Sequence, residues 1–329
     1  MPHSSLLISH YNDTDGLKKC VESIASSTDS DFEILVYDDG SDDGHKNQLE
    51  DLIKRDSRIR CIFGELNRGC GYGFDLLSKE ASGHIVHYVG ADDLVHPMRV
   101  IEARDFHDTH RISRSEKGSV PILATGYRHL DHAYKLLPQV AARQLCHEHI
   151  HAAMYFYTPI AHGTVSILRS GYERLSPFPI DRRAGVDYLF FCRNNEMLTY
   201  HYTDKSRYYI RLKQKSLTRT PSTRKEQLES HDLAMHYLWN QNVGDINLED
   251  IRSIRRLCVS ADDMPSQSAM VDRIKQQRLC ALMDELERSR LTSKQLASLI
   301  DYFRDRIMRS TCRTHDAFTE NTWTQSFTI

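Results

Sequence analysis

Strand and helix alternate through the first hundred residues, and each clear strand ends in a polar or acidic turn. Residues 5–9 form a short apolar strand, and residues 32–37 a nearly continuous apolar one that ends in Asp38-Asp39-Gly40-Ser41-Asp42-Asp43. A third strand covers 58–63 and a fourth 84–89, the latter ending in Gly90-Ala91-Asp92-Asp93. Between them lie a helix that Thr14 can cap, with Leu17, Cys20, Val21 and Ile24 on one face, a helix carrying Leu49, Leu52 and Ile53, and a helix over 71–79 despite its glycines. Pro97 stands where a further helix would begin. Short links between alternating elements imply an α/β fold with a parallel, doubly wound sheet. Ligands of such sheets bind outside the carboxyl ends of the strands, so acidic clusters far apart in sequence can converge on one crevice.

The middle third is richer in strands, the best being 122–127, 164–169 and 208–212. From about residue 223 the pattern becomes helical, over 225–239, 248–258, 268–288 and 293–308. The Ser/Thr/Pro-containing stretch 216–223 is the natural boundary, giving a catalytic domain over 1–217 and an α-helical domain over 218–329.

Composition excludes several classes. A net charge of −2 gives no global basic field for nucleic acid. No stretch approaches the roughly 20 apolar residues that span a bilayer, and Leu6-Leu7-Ile8 is too short for a signal-peptide core. The expected location is the cytoplasm. Eight scattered cysteines without a Cys-x-x-Cys pair read as reduced thiols. A dinucleotide-binding oxidoreductase would place Gly-x-Gly-x-x-Gly after the first strand. Here that position holds Ser9-His10-Tyr11-Asn12-Asp13, and the cluster Gly69-Cys70-Gly71-Tyr72-Gly73 follows the third strand with the wrong spacing.

Carboxylates at strand ends suit a divalent metal that neutralises a departing diphosphate. Asp92 and Asp93 are suitable ligands, and the bland alternative is that one of them caps the helix at Pro97.

Taken together, the motifs resemble family 2 glycosyltransferases with the GT-A fold, over about two-thirds of the chain. Tyr11-Asn12 matches the opening Tyr-Asn pair, Asp38-Asp39-Gly40-Ser41 the end of the second strand, and Asn67-Arg68-Gly69 the Asn-x-Gly turn. Gly90-Ala91-Asp92-Asp93 matches an Asp-Ala-Asp-Asp type motif with glycine at its first acid. The resemblance implies that Asp39, or its neighbour Asp38, accepts a hydrogen bond from the nucleotide base, that Tyr11 lies against the base, and that Asn67 and Ala91 border the donor. It implies a Mn or Mg ion on Asp92, with Asp93 second.

The family's catalytic base sits in a Glu-Asp pair opening a helix, matched here by Val186-Asp187. Inversion at the anomeric carbon requires the acceptor hydroxyl to lose its proton as it attacks, and a carboxylate can take it. Asp187 is therefore the expected base and Asp181 the fallback; the bland reading of Asp187 is a helix N-cap. The family's Arg-x-His-x-x-Ser run is matched by Arg211-Leu212-Lys213-Gln214-Lys215-Ser216, with Lys213 at the His position. Lys213 cannot ligate metal while protonated, but its charge can face phosphate; the alternative is a solvated basic loop. His162 is a further residue near the expected donor cleft.

The resemblance thus implies an inverting transferase. Its donor is a nucleotide-diphospho-sugar, with UDP favoured over other bases, and its acceptor a glycan or lipid-linked glycan in surface polysaccharide assembly. Two readings compete: a degenerate GT-A domain that binds without turnover, suggested by Gly90 and Val186, and a zinc hydrolase using His147-Glu148-x-x-His151 with Glu173 as a distant ligand. Basic residues at 252, 255 and 256, and at 304, 306 and 309, read as part of a packed helical cap or as a surface for peripheral membrane or partner docking.

Overall fold

The computed structural model describes residues 2–112, 118–138, 145–213, 221–258, 281–284, 297, 300 and 301. In chain order the elements are β1 (Ser4–His10), α1 (Thr14–Ala25), β2 (Phe32–Asp38), α2 (Asp43–Arg55), β3 (Ile59–Phe63), α3 (Cys70–Glu80), β4 (Ile85–Gly90), β5 (Leu94–Val95) and α4 (Arg99–Ile112). They continue with β6 (Val120–Leu130), α5 (His147–Ala153), β7 (Val165–Leu168), α6 (Arg169–Tyr172), α7 (Val186–Asn194), β8 (Leu198–Arg211), α8 (Pro221–Asn242) and α9 (Leu248–Cys258). Most of residues 268–288 and 293–308, where two helices are expected, lie outside the described residues, as do Arg304, Arg306 and Arg309.

The chain divides into two compact units, one formed by 1–147 with 160–230 and the other by 148–159 with 231–329. The first unit holds one sheet of eight strands, in the order β3-β2-β1-β4-β7-β6-β8-β5. The β1 strand runs parallel to both β2 and β4, and β2 parallel to β3. This is the doubly wound half expected from the alternation, and the register places His10 beside Asp38 at the carboxyl end. Beyond β4 the sheet is mixed, because β7 is antiparallel to β4 and β6 while β8 runs parallel to β6. The 14-residue β8 is far longer than the 208–212 segment expected for it. A register shift at Gly126, where an added Cβ would lie 2.5 Å from the Asp204 carbonyl oxygen, marks a bulge along that pairing.

Two packed layers hold β1 and β2. On one face Leu6, Ile8, Ile34 and Val36 pack with Leu17, Cys20, Val21 and Ile24 of α1. On the other, α3 approaches so closely that a Cβ at Gly73 would meet Ser9 Oγ at 2.6 Å and Tyr37 at 2.8 Å. The helix can lie on these strands only with glycine at that position. The cap of α1 is Asp13, which accepts the Gly16 N–H at 3.2 Å, and not Thr14, whose hydroxyl bonds His45. Thr14 is the first residue of the helix, so the Ncap position falls to Asp13 before it. The helix expected at Pro97 starts at Arg99.

In the second unit Trp239 is fully buried, and its indole N–H donates to the Tyr155 carbonyl at 2.9 Å. Ile246, and Ile251 and Ile254 of α9, are buried as well. Arg252 and Arg255 are not free surface charges, since both pair with the buried carboxylate of Asp232. Replacing Asp232 with Ala should cost about 3–5 kcal/mol, because it strands charge at a buried pair. Urea denaturation of the variant would check this, and a midpoint equal to wild type would show the pairing contributes nothing. Among the described residues no helix is long and apolar enough to cross a membrane.

Candidate active site

The loops after β1 and β2 are laced together by the first acidic cluster. His10 donates from Nδ1 to Asp38 Oδ1 at 2.9 Å, and its Nε2 accepts the Asp13 N–H at 3.2 Å. A carboxylate on one nitrogen and a donor on the other select the neutral Nδ1–H tautomer. Asp38 Oδ2 accepts the Ser41 N–H at 3.2 Å. Burial raises the Asp38 pKa, but the bonds from His10 and Ser41 outweigh it and hold the carboxyl below its usual value. Asn12, in a left-handed conformation at φ 48°, accepts the Asp42 N–H on its side chain and donates its own N–H to Ser41 Oγ. Asp39 reaches the loop after β3, accepting the Arg68 N–H at 2.6 Å and the Gly69 N–H at 2.8 Å. Burial nevertheless leaves its pKa raised. Tyr11 stands 48% exposed above this framework.

The second cluster follows β4. Asp93 accepts the Tyr208 hydroxyl proton on Oδ2 at 2.7 Å and the Arg211 N–H on Oδ1 at 2.9 Å, while Tyr208 accepts the Gly90 N–H at 2.7 Å. An added Cβ at Gly90 would lie 2.5 Å from Asp93 Oδ2. The Asp93 carboxylate therefore occupies the space that a side chain at position 90 would need. Its pKa is raised, chiefly by burial and then by the Asp92 charge beside it. Ala91 packs at the edge of the α1 core. Neither acid caps a helix, since α4 begins at Arg99 and both carboxylates face the loops.

Lys213, just past β8, links two strand ends. Its ammonium pairs with Asp92 Oδ2 at 2.9 Å and with Asp13 Oδ2. Burial lowers the Lys213 pKa, but the two carboxylates outweigh it and the net shift is upward. Asp13 is correspondingly held low: burial raises its pKa, and Lys213 more than compensates. The Arg211 guanidinium donates to the His132 carbonyl at 2.7 and 3.1 Å and lies 4.2 Å over the Tyr134 ring. Lys213 is thus an ordered, partly buried cation and not a solvated loop residue.

This donor set does not fit the expected resident Mn or Mg ion. Such an ion takes one or two carboxylates, with water and substrate phosphate completing its shell, and those carboxylates must be free to turn toward it. Here the carboxylate oxygens of Asp93 both accept protein donors, Asp92 and Asp13 face an ammonium, and position 90 supplies no ligand. Among the described residues no group of three His, Cys, Asp or Glu is placed to hold a metal. The zinc reading of His147-Glu148-x-x-His151 likewise finds no third ligand among the described residues. His147 Nδ1 accepts the Tyr200 N–H at 3.1 Å, so it is committed to the sheet.

Asp187 is the second residue of α7, after Gly185 at φ 69°. It is not the cap, and among the described residues no donor pairs with its carboxylate. Its neighbourhood is set by glycines. A Cβ at Gly71 would lie 2.2 Å from the Pro179 carbonyl oxygen, and one at Gly69 would lie 2.8 Å from Arg183 Cα. Arg183 donates to the Asn67 carbonyl at 3.2 Å, and the Cys70 thiol to the Arg183 carbonyl at 3.4 Å. The segment before α7 is therefore docked on the N-terminus of α3. The Cys70 thiol, pushed up to about 12 by burial, also feels the charges of Asp187 and Asp39. Gly71→Ala should destabilise the domain by about 1–3 kcal/mol through overpacking against this backbone. Thermal melting would check it, and an unchanged midpoint would refute the close approach. Asp181 is exposed. His162 is sandwiched by Tyr88 at 4.4 Å and Phe74 at 4.7 Å, and burial lowers its pKa to about 4, so it is a neutral ring at pH 7.

His10, Asp13 and Tyr208 escaped the sequence reading. Asp13 carried a signal, as a cap residue after a strand; His10 and Tyr208 act through pairings that only the register reveals.

An α/β sheet with polar turns converging at the carboxyl ends of β1, β2 and β4, followed by mixed strands, defines a GT-A domain. Residues 5–155 match the model of glycosyl transferase family 2. An uncharacterised glycosyltransferase of Nostoc sp. is 33% identical over 102 residues, covering 30% of this chain and 31% of the relative. An uncharacterised glycosyltransferase of Haemophilus influenzae is 28% identical over 182 residues, covering 53% of each. The chain thus spans about a third to a half of the length of these relatives. Staphylococcus aureus TarS 1–349 in complex with UDP-GlcNAc superposes with a TM-score of 0.57 at 17% identity, covering 94% of this chain and 89% of that one. At that identity the likeness shows a shared fold.

Proposed function

We propose that the protein is an inverting glycosyltransferase that moves a sugar from a nucleotide-diphospho-sugar to a hydroxyl of a glycan or lipid-linked glycan. What supports this reading is an exposed Tyr11 and the Asp39 carboxylate at the adjoining carboxyl ends of β1 and β2 in a segment that matches family 2, with Asp187, which has no partner donor among the described residues, acting on the same Cys70 thiol as Asp39. Tyr11 offers a ring face to a base. Each Asp39 oxygen accepts one backbone N–H and keeps a second lone pair for a base N–H. Asn67 and Ala91 border the donor on either side. UDP is the favoured nucleotide, since TarS of the same fold is known in complex with UDP and with UDP-GlcNAc.

Asp187 takes the proton of the acceptor hydroxyl as its oxygen attacks the anomeric carbon. We place the enzyme in the cytoplasm, acting in surface polysaccharide assembly with access to the inner membrane face.

Binding without turnover is the second reading, favoured by the buried Val186 at the position of the family's Glu. Incubation with a panel of nucleotide sugars and a glycan acceptor mixture separates the two. Release of nucleoside diphosphate from one donor supports transfer, and saturable binding with no release from any donor supports the second reading.

A further inference from the structure

We propose that the Lys213 ammonium, held between the turns after β1 and β4, stabilises the departing nucleoside diphosphate in place of a divalent cation. This rests on the sugar-nucleotide reading and sharpens its chemistry. Three observations carry it.

Lys213 Nζ bridges Asp92 and Asp13, which come from two different strand ends that the parallel register of β1 and β4 sets side by side. The approach is close, for a Cβ at Gly16 in the first turn of α1 would lie 2.9 Å from Asp92 Cβ. A single positive charge therefore already occupies the point where the carboxylates converge. Asp93 is held away from that point, because Tyr208 and the Arg211 amide each engage one of its oxygens. Position 90 supplies no ligand there, because Asp93 fills its space.

An ammonium has three N–H donors. Two are engaged by Asp92 and Asp13, which fix the nitrogen, and the third is available to a phosphate oxygen. In the transfer, the bond between the anomeric carbon and the β-phosphate oxygen breaks, and its electron pair stays on that oxygen. The acceptor oxygen forms the new bond to carbon and its proton goes to Asp187. The leaving diphosphate gains one negative charge, which Lys213 meets by hydrogen bonding without giving up a proton. A positioned charge of this kind costs no reorganisation at the moment of reaction.

The test measures equilibrium binding of UDP, GDP, CDP and dTDP to the full chain by calorimetry, once in EDTA and once with MnCl2, and Mn binding by electron paramagnetic resonance. Wild type should bind its nucleotide within about twofold in the two buffers and should show no tight Mn signal. Lys213→Ala should weaken binding in EDTA by about tenfold or more, as expected for a lost charge-assisted hydrogen bond. Lys213→Arg should retain most of the affinity, and circular dichroism controls for folding. Wild-type binding that requires Mn, or Lys213→Ala that binds as wild type does in EDTA, overturns the proposal while leaving the transferase reading intact. Absence of binding by all four nucleotides in both buffers overturns the transferase reading and the proposal with it.

Discussion

Asp187→Asn should lower the rate of sugar transfer about a hundred- to ten-thousand-fold, the range for loss of a positioned general base. Donor affinity should stay within about twofold, because among the described residues no donor pairs with this carboxylate. Asn preserves shape and removes only basicity, so a loss in kcat with an unchanged melting temperature identifies proton abstraction. Steady-state kinetics with the identified donor and acceptor would check this. A variant that keeps a tenth or more of wild-type kcat would exclude Asp187 as the base. Asp181→Asn is the control, and its exposed position predicts little effect.

Asp38→Ala should be the most destabilising single change at the site, by about 2–4 kcal/mol, because it leaves two buried donors, His10 Nδ1–H and the Ser41 N–H, without an acceptor. The effect also carries a pH signature. The folded-state pKa of Asp38 lies below its ordinary value of 3.8. The stability this provides is fully present above 3.8, declines as pH falls from there through the folded-state pKa, and is gone below it. Wild type should therefore lose stability in acid relative to Asp38→Ala, and the two curves should converge at the acid end. Urea unfolding across pH would show this. Parallel curves over that range would mean that the Asp38 contacts contribute no ionisation-linked stability.

The parallel half of the sheet was legible because its strands are buried on both faces and read as nearly continuous apolar runs, as in β2 and β4. Helix α9 matches the expected 248–258 because its charged and apolar residues alternate at helical spacing. The mixed half was not legible. In β8 the run Thr203-Asp204-Lys205-Ser206-Arg207 reads as a polar loop, yet the strand continues through it, paired with β6 across a bulge. Membership of 148–159 in the second unit was equally hidden, since Trp239 and Tyr155 are joined only in space.

At the site, the acidic motifs were visible and their partners were not. The cluster Gly69-Cys70-Gly71-Tyr72-Gly73 looked like a failed nucleotide loop. Its glycines instead permit the approach of Arg183, Pro179, Ser9 and Tyr37. Gly90 looked like a lost ligand, and its lack of a side chain is what admits the Asp93 carboxylate. Lys213 matched a histidine position by motif, but its pairing with Asp13 depends on the cap of α1, which no local pattern assigns.

A crystal structure of the full chain with its nucleoside diphosphate tests the central claim most directly. The base should lie against Tyr11, with a base N–H donating to Asp39, and a diphosphate oxygen should lie within about 3 Å of Lys213 Nζ. A nucleotide bound away from the carboxyl ends of β1, β2 and β4, or a diphosphate out of reach of Lys213, would contradict it.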